Sequence, residues 1–244
     1  MPKKLRNSSS KKSLINYNKI SIPDKAKLYD KFDRKRDDML YHLNTPTQQG
    51  EYYQSYAKFL PQAVPKSVCS AALRDWQTMG TKNKGEIRGD GKATTNFDIR
   101  RVVVYGFDEM QWTESLLHIG QTIAKKYFPH MVLKDLEPPQ LLVYSGSAKG
   151  HYTWHRDSLT DSSYKYIRKM SMSILLNDSS EFEGGDFLLL DHVTSDGALE
   201  CYKPPLRNIG DVIAFDSNTD HKVMPVTKGT RAVLVLWFLG EHNR

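Results

Sequence analysis

The sequence predicts a mainly β, α+β fold: an antiparallel double sheet of jelly-roll type with helices packed on one side. Two observations carry that expectation. Helical patterns fall in the first half of the chain, and from Gln140 onward short β-rich runs separated by turn residues continue to the end with no helix between them. The length adds a bound, since 244 residues suit one domain with an extra arm and can bury a sizeable core.

Taken in order, residues 1–20 are rich in Lys, Ser and Asn and read as a disordered tail. Residues 23–43 alternate spaced apolar and charged side chains after Pro23 and predict a surface helix, followed by a loop over 45–50. Pro65 suits the first position of a helix running to Met79, with Val68, Ala72, Leu73 and Trp76 on one face. Residues 80–97 are rich in Gly and Lys without periodicity and predict a long loop. A strand is expected over 99–105 and a helix over 114–128, where Leu116, Leu117, Ile119, Gly120, Ile123, Ala124 and Tyr127 recur at helical spacing. Further strands are expected over 140–144, 152–156, 169–176, 186–190, 211–215, 221–225 and 232–239. Lys228-Gly229-Thr230 reads as a turn returning the last strand beside His221.

Bulk chemistry narrows the function. No apolar run approaches 18 residues, so no membrane span is expected. The basic start lacks the apolar stretch of a signal peptide. Cys69 and Cys201 are too few for a disulfide framework and lack zinc-site spacing, which favours a reducing, cytoplasmic setting. The net charge of +7 is uneven: residues 1–36 hold 12 Lys/Arg against 3 Asp/Glu, and the rest hold 23 against 25. The basicity belongs to an N-terminal arm that could touch nucleic acid or acidic partners, although a solvated tail is the commoner outcome.

The chemistry gathers around His155-Arg156-Asp157. Residues i and i+2 of a strand share a face, so His155 and Asp157 can reach one ion while Arg156 points away. A third ligand must come from another strand, and His221 opens one after Ser217-Asn218-Thr219-Asp220. Two imidazoles and a carboxylate can cap one face of Fe(II) and leave positions for a co-substrate and O₂. Arg231, ten residues on, could hold a far carboxylate in a bidentate fork. Each piece alone is common. His151 with His155 would form a metal pair on a helix, but Tyr152, Thr153 and Trp154 favour extended backbone; His118, His130 and His192 read as structural or exposed.

The stretch 140–238 resembles the 2-oxoglutarate/Fe(II) dioxygenases, and most closely their prolyl 4-hydroxylase-like branch. The matching pieces are Tyr144-Ser145-Gly146, Gly150-His151-Tyr152 with His155 and Asp157, Ser173 to Asn177, and Glu183-Gly184-Gly185. They continue through Gly210 to Phe215, His221 with Val223 and Pro225, Gly229-Thr230-Arg231, and Trp237. The resemblance implies a double-stranded β-helix over residues 55–244, with its core at 140–240 and supporting N-terminal helices. It implies Fe(II) on His155, Asp157 and His221, with the far carboxylate of 2-oxoglutarate on Arg231 and the Tyr144 hydroxyl. Collagen-type members often carry Lys at the Arg231 position, so this chain sides with the others. Ser171 and Ser173 fall on an inward face, where they suit a co-substrate carboxylate or simply line the core; Tyr152 and Trp237 are candidates for the substrate pocket. Gly184-Gly185 fits a close backbone approach.

The activity this resemblance implies is hydroxylation of a side chain, foremost a prolyl residue of a protein or peptide. Fe(II), 2-oxoglutarate and O₂ are consumed or held, ascorbate is an optional accessory, and succinate and CO₂ are co-products. The segments 158–168 and 80–97 could shield the site. A nucleic-acid demethylase using the basic arm, a free amino-acid or small-molecule hydroxylase, and a non-catalytic β-sandwich binding module stay open. The near-neutral globular part counts against the first, and the intact ligand set against the last.

Overall fold

A computed structural model describes residues 41–43, 56–79, 81–84, 87–89, 92–94, 96–106, 111–158, 166–193 and 199–241. Residues 1–36, residues 23–40 of the helix expected over 23–43, and the loop over 45–50 lie outside them. The chain runs β1 (Tyr41–Leu43), β2 (Ala57–Leu60), α1 (Lys66–Met79), β3 (Thr81–Lys84), β4 (Ile87–Gly89), β5 (Lys92–Thr94), β6 (Arg100–Arg101), β7 (Val103–Gly106) and α2 (Gln111–Tyr127). It continues as β8 (Asp135–Leu136), β9 (Gln140–Ser145), β10 (His151–His155), β11 (Tyr166–Leu175), β12 (Phe182–Gly184), β13 (Phe187–Val193), β14 (Leu199–Tyr202), β15 (Val212–Asp216), β16 (His221–Val223) and β17 (Val226–Glu241).

Two sheets face each other. The larger follows the order β2-β15-β11-β17-β9-β7-β3, with β8 and β12 also paired to β17; the smaller follows β1-β14-β13-β16-β10-β6. This is the jelly-roll arrangement the sequence predicts. Alternation along β11 sorts its side chains between two cores. Met170, Met172 and Ile174 face the helices, and Leu175 joins Phe187, Leu189, Ile213, Phe215 and Val233 between the sheets.

The helices form where the spacing demands and pack on the outer face of the larger sheet. In α1 the Pro65 carbonyl accepts from the Val68 and Cys69 amides, so proline opens the helix as expected. Cys69 and Ala72 are buried, with Val68, Leu73 and Trp76 packed against the same core. The Trp112 indole at the start of α2 donates to Asp75 of α1 at 2.6 Å. A Cβ on Gly120 would stand 2.1 Å from the Phe238 ring, so glycine lets α2 settle onto β17. No helix among the described residues is long and apolar enough to cross a membrane.

Several expectations need correction. Residues 80–97 are not one loop: β3 pairs with β7, and β4 pairs with β5. Backbone pairing at a sheet edge leaves little hydrophobic signature. The single strand expected over 99–105 is two, because Arg100–Arg101 belongs to the smaller sheet and Val103–Gly106 to the larger. Residues 41–43 are strand rather than helix, lying parallel to β14. That partner strand, β14, was not expected either: its four residues are too short a run to stand out. Finally, residues 228–230 are no turn, since β17 runs unbroken from Val226 to Glu241. Gly229 has φ of +68°, but it serves a close approach in which an added Cβ would meet the Glu181 carbonyl at 2.0 Å. Arg231 therefore lies across the sandwich from His221 instead of beside it in one sheet.

Candidate metal centre

His155 ends β10 and His221 opens β16, and these antiparallel neighbours place the two residues directly opposite each other. Their ring centroids are 4.1 Å apart. The register shifts between Tyr152 and His155, an irregularity that turns both of those rings inward so that they stack at 3.5 Å. Just past β10 the Asp157 and Ser158 amides both donate to the Ser217 carbonyl, at 3.0 and 2.8 Å. That double anchor aims the Asp157 carboxylate at the imidazoles. Its Oδ1 lies 3.8 Å from His155 Nε2 and its Oδ2 lies 3.5 Å from His221 Nε2. The three side chains offer ligand atoms all within 4.8 Å of one another, a spacing that could hold one metal ion.

The protonation states suit that use. His155 Nδ1 is 2.8 Å from the Thr153 carbonyl, and His221 Nδ1 is 2.9 Å from the Thr219 carbonyl. A carbonyl only accepts, so each Nδ1 carries a hydrogen and each Nε2 is the ring nitrogen turned inward. Burial, then the neighbouring His221, pushes the His155 pKa well below its ordinary value, so the ring is neutral. Burial alone would raise Asp157, but His221, His155, Arg168 and the Ser171 hydroxyl together bring it down to about 2. Two imidazoles and one carboxylate are the donor set of a facial Fe(II) triad.

On the opposite sheet, β17 turns Arg231, Val233, Val235 and Trp237 toward the same cavity, which His155, Asp157 and His221 also line. Arg231 is only 2% exposed, and its Nη1 has no hydrogen-bond partner among the described residues. A buried guanidinium with an unsatisfied donor calls for an anion. Burial lowers its pKa from the ordinary value, opposed by Tyr144 and Asp186. Tyr144 is the register partner of Arg231 on β9 and also lines the cavity; burial pushes its phenol up to about 12, so the hydroxyl remains a donor. Gly185 makes room for Arg231. An added Cβ would meet the Arg231 Cδ at 2.9 Å, and the residue sits at φ +69°.

The serines divide. Ser173 lines the cavity. Ser171 is fully buried, shares a 2.9 Å hydrogen bond with the Ser217 hydroxyl and reaches Asp157. Tyr152 and Trp237 both line the cavity. His151 bonds the Lys149 and Asp98 carbonyls and is not among the ligand atoms that converge. Sequence reasoning missed Arg100, whose guanidinium lies 4.6 Å from the Tyr152 ring centre at the cavity, and Arg168 and Glu137 behind it. No spacing rule pointed to them, because each arrives through tertiary pairing.

Residues 139–239 match the model of the 2OG-Fe(II) oxygenase superfamily. Over that stretch the chain is similar to the 2OG-Fe(II) oxygenases. The chain is similar to a PKHD-type hydroxylase of Teredinibacter turnerae, 26% identical over 134 residues that cover 51% of the chain and 55% of the relative. It is also similar to one of Picosynechococcus, 40% identical over 68 residues and 28% of each. The chain spans about half the length of the hydroxylase relatives it matches. Among solved structures, a Pseudomonas putida prolyl-4-hydroxylase shares the fold at TM-score 0.54 and 16% identity, covering 80% of this chain and 97% of that one. A Trichoplax adhaerens prolyl hydroxylase, in complex with a hypoxia inducible factor oxygen degradation domain peptide fragment, does so at TM-score 0.58 and 13% identity, covering 80% and 93%.

Proposed function

We propose that this chain is a 2-oxoglutarate- and Fe(II)-dependent dioxygenase that hydroxylates a side chain, foremost a prolyl residue of a protein or peptide. The observation that carries the reading is Arg231, which lines the cavity with the two histidines and the aspartate and whose buried Nη1 has no partner among the described residues. His155, Asp157 and His221 would hold Fe(II). Arg231 would hold the far carboxylate of 2-oxoglutarate, and the Tyr144 hydroxyl, protonated up to about pH 12, would donate to it. Bound iron and co-substrate would supply the oxidation, releasing succinate and CO₂. The protein's own share is orientation and shielding: Ser171 and Ser217 hold the carboxylate ligand, while Tyr152, Phe187, Phe215 and Trp237 wall the cavity. The prolyl substrate is supported by the prolyl hydroxylase relatives, one of them solved with a peptide. A cytoplasmic setting is supported by two free, buried cysteines.

The test is anaerobic. Fe(II) and 2-oxoglutarate added to the purified protein should give the weak visible charge-transfer band of a chelated 2-oxo acid, and His155→Ala should abolish it. A folded, metal-loaded protein without the band would overturn the oxygenase reading. Peptides that stimulate succinate release would then define the substrate, and stimulation by single-stranded nucleic acid instead would overturn the prolyl assignment.

A further inference from the structure

Behind the metal triad lies a second polar cluster. Glu137 is 5% exposed and accepts a two-pronged fork from Arg168, whose Nε and Nη2 donate to its two oxygens at 2.7 and 2.6 Å. The remaining Arg168 nitrogen, Nη1, donates to the main-chain carbonyl of Asp157 at 3.3 Å. The same guanidinium lies 3.8 Å from the ring centre of Trp237, the residue that walls the cavity. The Glu137 amide closes the circuit by donating to the Trp237 carbonyl at 3.0 Å. One planar cation thus touches the backbone of a candidate ligand, the cavity wall and a buried carboxylate.

Stability alone gives no reason for such a cluster. Taking a carboxylate and a guanidinium out of water costs about as much as their attraction returns, and well-packed apolar side chains of similar volume do as well or better. What the ion pair adds is geometry. A guanidinium fork fixes a plane, and that plane sets both the stacked indole and the carbonyl it touches. Asp157 is held on its amide side by Ser217 and on its carbonyl side by Arg168, so its peptide unit is clamped at both ends.

We infer that Arg168, oriented by Glu137, is a positioning residue of the metal centre: it fixes the backbone of Asp157 and the Trp237 ring in the geometry that binds the ion. The inference rests on the proposed metal-centre reading. Arg168→Lys keeps the positive charge and removes both the fork and the planar stack. Glu137→Gln keeps the shape and weakens the fork.

The experiment is Mn(II) binding to the full chain without co-substrate, followed by the electron paramagnetic resonance of free Mn(II), with thermal unfolding of the metal-free proteins alongside. Outer partners of metal ligands typically alter affinity by roughly 10- to 100-fold. Arg168→Lys should raise the Mn(II) dissociation constant by about that factor, and Glu137→Gln by less. The double variant should be no worse than Arg168→Lys alone, because Glu137 acts through Arg168. Wild-type affinity in folded Arg168→Lys would overturn the inference while leaving the metal centre standing. So would additive losses in the double variant, or losses that merely track the unfolded fraction. If Arg168→Lys does not fold, Glu137→Gln decides: unchanged affinity overturns the inference. A wild-type protein that binds no Mn(II), with no band with Fe(II) and 2-oxoglutarate, would instead overturn the underlying reading.

Discussion

Arg231 shows how one buried charge can specify a ligand class. Its Nη1 is buried and has no partner among the described residues, and a partially satisfied guanidinium is costly until an anion arrives. Charge-assisted hydrogen bonds contribute about 1.5–3 kcal/mol each. Arg231→Gln should therefore weaken 2-oxoglutarate binding by roughly 10- to 150-fold with little effect on Mn(II) affinity. Titration of the anaerobic visible band would measure it, and unchanged affinity would remove the co-substrate from this residue. At this scale the sequence was legible where chemistry follows strand alternation. His155 and Asp157 share a face because they are two apart, and Arg231 and Trp237 share one because they are six apart. It was not legible for Arg168, which finds Glu137 thirty-one residues away in sequence. Ser171 was legible as inward-facing, but its bond to Ser217 depends on how β11 and the segment after β15 meet.

Among the elements, β17 does the most joining. It pairs with β11 and β9 along its length, adds β12 and β8, and carries both Arg231 and Trp237. The expected turn at residues 228–230 failed because a glycine between polar residues signals equally a reversal and a tight crossing. Only the Glu181 carbonyl, poised where a side chain would be, tells them apart. Gly185 carries the sharper prediction. Gly185→Ala puts a side chain at φ +69° and against both Val226 and the Arg231 stem. A non-glycine residue held there costs about 1–3 kcal/mol. The urea midpoint should fall accordingly, and 2-oxoglutarate affinity should fall with it as Arg231 is displaced. A loss of stability with intact affinity would show that the stem has room to shift. Helices α1 and α2 were the easiest elements to foresee, since their apolar periodicity is local, whereas β3, β4 and β5 were missed because edge and hairpin pairing uses backbone groups that every residue possesses.

Across the molecule, two cores share the larger sheet as a common wall: one faces the helices and the other faces the smaller sheet and the cavity. The thiols report on both packing and chemistry. Cys69 lies in the helix-side core and Cys201 on the outer side of the smaller sheet, and burial raises their pKa values to about 11 and about 12. Since the thiolate is the reactive form, neither should react with a disulfide reagent at pH 8 while the chain is folded, and two should react per chain in denaturant. A thiol titrated in the native state would show that one of these regions opens. The domain's class was legible from the order of patterns, helices before strands. Which sheet each strand joined was not, because the chain changes sheets at Val102 within what reads as one continuous β-branched run.

Each imidazole of the triad is steered by the carbonyl of a threonine two residues before it, Thr153 for His155 and Thr219 for His221. The aim of both rings is thus written into three-residue stretches of backbone, independent of any ion. An empty centre would keep its shape like a mould between castings. Metal could leave and return, or one divalent ion replace another, at the pace of ligand exchange and with no refolding of the sheets around it.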